Sequence, residues 1–416
     1  MPLAPGSIFS TWWARVCAIC GLGLLTRVAF VFGVARFDEP VGDQLYYSAQ
    51  AHTNAMGHWF EQPFASGMPA ADHPPLTSML LTPVTWLFRN TDSFITAQRL
   101  MMVIIGVVSI AIVSLIGREL AGERAGLVAA AITAVYANVW VNDGLLMAES
   151  PTFFLVTVLT LLALRYHRMP SIRGTMAMGV VAGLLALTRA ELIVCVPLLV
   201  SLVAIVHRGG TKVRAIRPAV LAVCALAVIA PWAAWNHSRF TESVYLSTND
   251  GLTLAGANCD HTYYDDLGSW DIWCAYETEV PEGVDTSVES ARMRTAGLAY
   301  WSDHLSRYPL VAGARLLRVT STGFIGSNNN AGRSEGRPVW VSWLGVAQYW
   351  LLVVAAVVGF RRVPNRLDRG VLVALVPVVL LVAMVANAYV RFRVPFEPGL
   401  VVLAAVAVSE RWRASA

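Results

Sequence analysis

The chain of 416 residues is 56% hydrophobic and only 14% charged, with a mean hydropathy of +0.56. Soluble domains carry charge on about a quarter of their residues, so a bilayer is the natural solvent here. The net charge of +4 is small, Lys212 is the only lysine, and no arginine run has the density of a basic stripe, which excludes a nucleic-acid partner.

A membrane-crossing helix needs about 20 mostly apolar residues, fewer when neighbours surround it. Ten segments meet this reading: 12–34, 97–117, 124–142, 150–165, 174–189, 191–207, 218–236, 339–360, 370–389 and 397–409. The first is too long for a signal peptide and lacks a small-residue cleavage site, so an uncleaved helix is expected. Cys17, Cys20, Cys195 and Cys224 fall inside apolar runs and read as buried thiols, although "CAIC" has CxxC spacing. After the first span comes a loop rich in acids, Asp38, Glu39, Asp43, Glu61 and Asp72, against Arg36 alone. The piece that follows, "PPLTSMLLTPVTWLF" (74–88), is short, contains Pro83 and reads as an interfacial or re-entrant helix.

Orientation comes from arginine and lysine in short loops. Arg165, Arg168 and Arg173 form one basic turn, Arg208, Lys212, Arg214 and Arg217 a second, Arg361, Arg362, Arg366 and Arg369 a third. With ten spans all three share one side with Arg118, Arg124 and the tail "ERWRASA", which makes that side cytoplasmic and places both termini there. The acidic first loop, the turns of Asp143 and Glu149 and of Arg189 and Glu191, and "RFRVPFEP" then lie outside.

Residues 237–338 make the largest polar stretch, also outside. Cys259 and Cys274 within it read as a disulfide, as expected of a cysteine pair in an oxidising compartment. Its aromatic residues, Tyr263, Tyr264, Trp270, Trp273 and Tyr276, interleave with Asn258, Asp260, Asp265, Asp266 and Asp271, which suits either carbohydrate binding or a small subdomain packed on the membrane core. "YWSDHLSRYPLVAGARLLRV" has helical period broken at Pro309, with Arg315 and Arg318 on one face, for lipid headgroups or for a phosphate. "STGFIGSNNNAGRSEGRP" has the composition of a mobile segment, an ordering loop or a slack tether.

Acidic groups at the outer ends of several spans are costly unless they face water or one another. Asp43, Asp72, Asp143, Glu149 and Glu191 gather there, with His73 and with Arg189, Arg391 and Arg393. Such a set suits a lipid-borne phosphate gripped by arginine forks and a hydroxyl deprotonated by a carboxylate. Charges that merely anchor an inert bundle to the surface are the plain alternative.

Read in order, "GDQLYY", "GHWFEQPF", "DHPPL", "NDGLLMAESPTFF" and "GLLALTRAEL" resemble the GT-C class of membrane glycosyltransferases. The likeness is to the bacterial protein O-mannosyltransferase and aminoarabinose-transferase group, glycosyltransferase family 39 and its relatives. It covers about the first 210 residues, with a weaker echo in "YVRFRVPFEP". The resemblance implies an all-α polytopic bundle of about ten transmembrane helices with outer juxtamembrane helices and one large outer loop. Its parts would be a catalytic membrane module, 1–236, carrying the first outer loop 35–96; an outer subdomain, 237–338; and C-terminal membrane helices, 339–416. It also implies an inverting transfer of sugar from a polyprenyl-phosphate donor to a protein, lipid or polysaccharide acceptor, outside the cytoplasmic membrane.

Carried over by position, Asp43 would be the base. Asp72 and His73 would lie near the donor phosphate or the acceptor, Glu149 would shape the site, and Arg189, Arg391 and Arg393 would contact phosphate. Tyr46 would stack on sugar or sit in the interfacial belt. Many relatives have a second acid directly after the first; Gln44 stands there instead, which weakens a divalent metal held by adjacent carboxylates and leaves metal dependence open. A flippase for a lipid-linked sugar is the alternative function. It too needs a polar membrane cavity, but no internal repeat of the kind transporters carry is visible.

Overall fold

The computed structural model describes residues 11–206 and 211–411. Arg208 of the second basic turn and the tail after Arg411 lie outside the described residues. Nineteen α-helices in chain order build the described part, with no strand in it beyond an isolated bridge between Glu61 and Pro69.

The membrane helices are α1 (Thr11–Gly33), α4 (Phe94–Ala121), α5 (Glu123–Val135) with the short α6 (Ala137–Trp140), α7 (Glu149–Arg168), α8 (Ile172–Ala186), α9 (Cys195–Val206), α10 (Thr211–His237), α16 (Val339–Arg362), α17 (Arg366–Val373) with α18 (Val376–Val385), and α19 (Glu397–Arg411). The described part of each of the ten apolar segments read from sequence falls mainly in one of these. Among the described residues six helices are long and apolar enough to cross a membrane, seven if the α5–α6 pair, bent by 58°, counts as one. The helices α8 and α9 are shorter, because the chain leaves regular α-helix after Ala186 and re-enters it only at Cys195. The remaining helices, termed outer after the sequence reading of the segments that carry them, are α2 (Asp43–Ala55), α3 (Leu76–Phe88), α11 (Asn249–Ala257), α12 (Ile272–Tyr276), α13 (Thr286–Asp303), α14 (Tyr308–Val319) and α15 (Ile325–Ala331).

At the centre stands α19, whose residues Val401 to Ala407 are all buried. Small side chains let its neighbours come close: a Cβ at Gly359 of α16 would overlap the Leu403 carbonyl, the kind of approach that drives helix association where lipid offers no hydrophobic contrast. Cys17, expected to be buried, is exposed on α1, a helix with most of its surface turned outward.

The bend at Tyr136 breaks the hydrogen-bond ladder inside an apolar layer, where freed backbone groups must find partners. The Gln348 side chain accepts from the Ala137 N–H at 2.7 Å. Arg27, fully buried in α1, donates to the Ala134 carbonyl at 3.1 Å and to Asp143 at 2.6 Å. Asp143 also accepts from Ser150 at 2.6 Å. The pair therefore closes the break.

The outer stretch is tied down by the two arginines that read as headgroup or phosphate contacts. Both are buried. Arg315 donates to the carbonyls of Met384 and Ala257, and Arg318 to Leu267 and Asp266. Arg315 clamps this stretch to α18 and Arg318 ties α14 to the turn at 266–267, because amphipathic α14 turns its polar stripe inward. The serine- and asparagine-rich stretch is ordered too, as α15 and a 3₁₀ turn from Gly332 to Glu335. Cys259 and Cys274 form a disulfide.

Arg27→Leu is expected to lower stability by about 3 kcal/mol, since it strands a buried carboxylate. Adding Asp143→Leu should recover part of that loss, as judged by thermal unfolding of the purified protein in detergent.

Candidate active site

Asp43 opens α2, where a carboxylate meets the positive end of the helix. Its side chain is one-third exposed. One oxygen lies 2.7 Å from Arg391 Nη1 and the other 3.4 Å from His73 Nε2. Pro74 and Pro75 follow His73 and bias the residue before them toward extended backbone, which brings the imidazole back over α2, where it packs on Tyr46 and Tyr47 with ring centroids 5.1 and 4.8 Å away.

Arg391 comes from the far end of the chain, in the 3₁₀ segment Val390–Phe396 that leads into α19. Besides Asp43 it meets Glu149 at 3.7 Å and, through Nε, Glu335 at 2.8 Å. Glu149, at the start of α7, is 1% exposed and also accepts from Arg189 at 2.7 Å. Arg189 reaches Glu191 at 2.6 Å. Phe392 lies between the two guanidinium groups, 4.5 Å from Arg189 and 5.2 Å from Arg391.

These side chains line one cavity of about 340 Å³. Asp43, Tyr47, His73, Glu149, Arg189, Glu191 and Arg391 form its polar part, while Val382, Ala386 and Phe392 give an apolar flank. A further wall comes from the outer subdomain through Ser247, Asn249, Asp250 and Thr253.

The electrostatics follow from that geometry. Burial pushes the Asp43 carboxyl up, but Arg391 and then His73 outweigh it and hold the group well below the usual carboxylate range. Asp43 is therefore ionised at neutral pH. Burial dominates at Glu335, with Asp43 and Glu149 adding repulsion that Arg391 offsets only in part; its carboxyl is pushed up to about 7.

Not every residue singled out in the sequence reaches the cavity. Tyr46 is buried behind His73, and Asp72 accepts from Gln62 at 2.7 Å outside the cavity lining. Asp143 is engaged by Arg27. Arg393 is buried against the Tyr349 ring at 3.8 Å and donates to Ser321 at 3.0 Å, two residues from Arg391 but turned into the bundle. Sequence reasoning missed Glu335, which sits in the stretch read as an ordering loop or a slack tether. Gln44, in the place of the second acid, donates to the Glu335 carbonyl at 2.7 Å and accepts from Leu146 N at 3.3 Å, so it fastens this turn to the site. Among the described residues no three His, Cys, Asp or Glu side chains converge as a metal set; the carboxylates converge on arginines instead.

Residues 72–235 match the family model described as dolichyl-phosphate-mannose-protein mannosyltransferase, which is less than half of the chain. No curated protein matches it. Among solved structures, the apo oligosaccharyltransferase of Archaeoglobus fulgidus superposes with a TM-score of 0.59 at 13% identity, over 99% of this chain and 52% of the other. The same archaeal enzyme, AglB, in complex with an inhibitory peptide and a dolichol-phosphate gives 0.58 at 14% identity, over 98% and 52%. ArnT from Cupriavidus metallidurans bound to undecaprenyl phosphate gives 0.46 at 16% identity, over 96% and 78%. The chain thus has the fold of the GT-C membrane glycosyltransferases and spans about half the length of the archaeal enzyme.

Replacing Arg391 by Gln leaves Asp43 with His73 alone and takes the nearest guanidinium from Glu335, while Glu149 keeps Arg189. Burial then raises the Asp43 and Glu335 carboxyls unopposed by that guanidinium, so stability is lost as pH rises through the raised values. Thermal unfolding should show a penalty for Arg391→Gln that grows from about pH 5 to about pH 8; a pH-independent penalty would contradict the assignment.

Proposed function

We propose that the chain is an inverting glycosyltransferase that moves a sugar from a polyprenyl-phosphate carrier to an acceptor hydroxyl on the outer face of the cytoplasmic membrane. The observation that carries this reading is the meeting of Asp43 with Arg391 and Arg189 in one cavity that has an apolar flank. The family match over residues 72–235 supports a transferase of this kind, and the dolichol-phosphate in the archaeal complex of the same fold supports a lipid-phosphate donor.

In this mechanism the donor phosphate lies against Arg391 and Arg189, with its lipid leaving past Val382, Ala386 and Phe392. The acceptor oxygen gives its proton to Asp43 and forms a bond to the anomeric carbon. The bond from that carbon to the phosphate oxygen breaks on the opposite face, and the electron pair departs on the phosphate. A phosphate is already a good leaving group, so guanidinium stabilisation of its growing charge is the larger contribution. Held down by Arg391, Asp43 is a poor base in the free protein. Phosphate drawing on the same guanidinium raises its basicity when the donor is bound, which suits a base that must act only on a loaded site. The cavity draws on residues from all three sequence segments, so we assign 1–236 and 339–416 to one catalytic membrane body and 237–338 to a subdomain that covers it. The acceptor, a protein, lipid or polysaccharide hydroxyl, enters from the outer side.

Asp43→Asn is expected to cut transfer roughly 10²- to 10⁴-fold while leaving binding of the lipid-phosphate sugar nearly unchanged. Near-normal turnover in a reconstituted assay contradicts the base assignment. Wild-type protein that scrambles the labelled lipid-sugar across liposomes and yields no glycosylated product favours the flippase reading instead.

The raised pKa of Glu335 gives a second check. Below about 7 it is neutral and leaves Arg391 Nε to the phosphate; above it the ionised carboxylate competes. A phosphodiester donor does not itself titrate in that range. Donor affinity should therefore weaken as pH rises through neutrality, and Glu335→Gln should flatten that dependence.

A further inference from the structure

The wall of the cavity supplied by the outer subdomain contains a carboxylate that the mechanism does not use. Asp250, in the first turn of α11, lines the cavity beside Asn249 and keeps about half of its side chain exposed. It is held with unusual completeness for a surface acid. Arg294 of α13 donates to Oδ2 at 2.6 Å, and Ser290 of α13 donates to Oδ1 at 2.8 Å. The Ser290 hydroxyl in turn accepts from the Gly251 N–H at 3.1 Å, so its proton is directed at Asp250. The two helices touch closely enough for this, since a Cβ at Gly251 would run into the Ser290 backbone and one at Gly297 would lie 2.7 Å from the Leu254 carbonyl carbon. The Cys259–Cys274 disulfide fixes the chain just beyond α11.

A carboxylate oxygen has two acceptor positions, and each Asp250 oxygen has one of them taken. The remaining two point to hydroxyl donors. Arg294 already neutralises the charge, so the group does not select for a cation such as an amine or a metal. What is left is a rigid, charge-balanced acceptor pair beside a carboxamide, which matches neighbouring hydroxyls on a sugar ring.

Resting on the transferase reading above, we propose that Asp250 and Asn249 form a hydroxyl-reading subsite for a sugar ring, with Arg294 and Ser290 as positioning residues. The outer subdomain then sets which sugar the site accepts, while the membrane body supplies the base and the phosphate grip.

The experiment measures binding of undecaprenyl phosphate, bare and carrying mannose, glucose or arabinose, to wild-type protein in nanodiscs, and transfer from the best of these to acceptors in a membrane extract. Asp250→Asn should weaken the preferred sugar-bearing donor roughly 10- to 100-fold, the worth of hydrogen bonds to a charged group, and erase discrimination against a deoxy analogue, with bare undecaprenyl phosphate bound as before. Arg294→Ala should show a smaller loss in the same sense, and Arg294→Lys should partly restore it. Unchanged donor binding with an equal loss in transfer at saturating donor places the same subsite on an acceptor sugar. Unchanged binding, discrimination and transfer overturn the subsite, and so does an equal loss for the bare lipid, which marks Asp250 as merely structural. If the wild type binds no sugar-bearing donor better than the bare lipid and transfers none, the transferase reading fails first, and the variants are not needed to see it.

Discussion

A single guanidinium, that of Arg391, organises the site. Three carboxylates from distant parts of the chain, Asp43, Glu149 and Glu335, lie within 2.7 to 3.7 Å of it. Without that positive charge burial would drive Asp43 and Glu335 toward the neutral form, with Glu149 left to Arg189. With it, Asp43 stays ionised and Glu335 sits near the edge of ionisation. Arg189 repeats the pattern on the other side of Phe392, shared between Glu149 and Glu191. The acids of the site are thus in place around two arginines, each shared between carboxylates.

The rest of the fold keeps this arrangement in register. The second outer turn reaches the site because the α5–α6 span is broken at Tyr136, and the break is tolerated because Arg27, Asp143 and Gln348 satisfy the groups it frees. Residues 237–338 are fastened to the bundle through Arg315, which spends its hydrogen bonds on carbonyl oxygens, and Arg318 braces the same stretch from within. Several charges in this apolar protein therefore serve as internal fasteners, which is how buried ionisable groups become bearable in a membrane.

The helical organisation was readable from the sequence because apolar runs and basic turns are local signals. Each of the ten segments falls mainly in helix, and Leu76–Phe88 of the short apolar piece forms α3. Asp43, His73, Glu149, Arg189 and Arg391 meet in one cavity, and the ends of the spans already placed them on one side. What the sequence concealed depends on direction and distant pairing. Arg391 and Arg393 are two residues apart in a 3₁₀ segment, so one faces the cavity and the other the core. Arg315 and Arg318 make an amphipathic stripe that suits headgroups and carbonyls equally well until the partner surface is known. Glu335 had no local signal, since its environment is created by residues 56 and 292 positions away. Asp143 and Glu149 share a turn, yet the α5–α6 bend sends them to different partners.

The central claim is that a phosphate and Asp43 share Arg391. Its most direct test is a cryo-EM structure of the protein with a polyprenyl phosphate bound. The account predicts phosphate oxygens within hydrogen-bonding distance of Arg391 and Arg189, the Glu335 carboxylate displaced from Nε, and Asp43 still facing the cavity. A phosphate seated elsewhere, with the contacts from Arg391 to Asp43 and Glu335 intact, would contradict it.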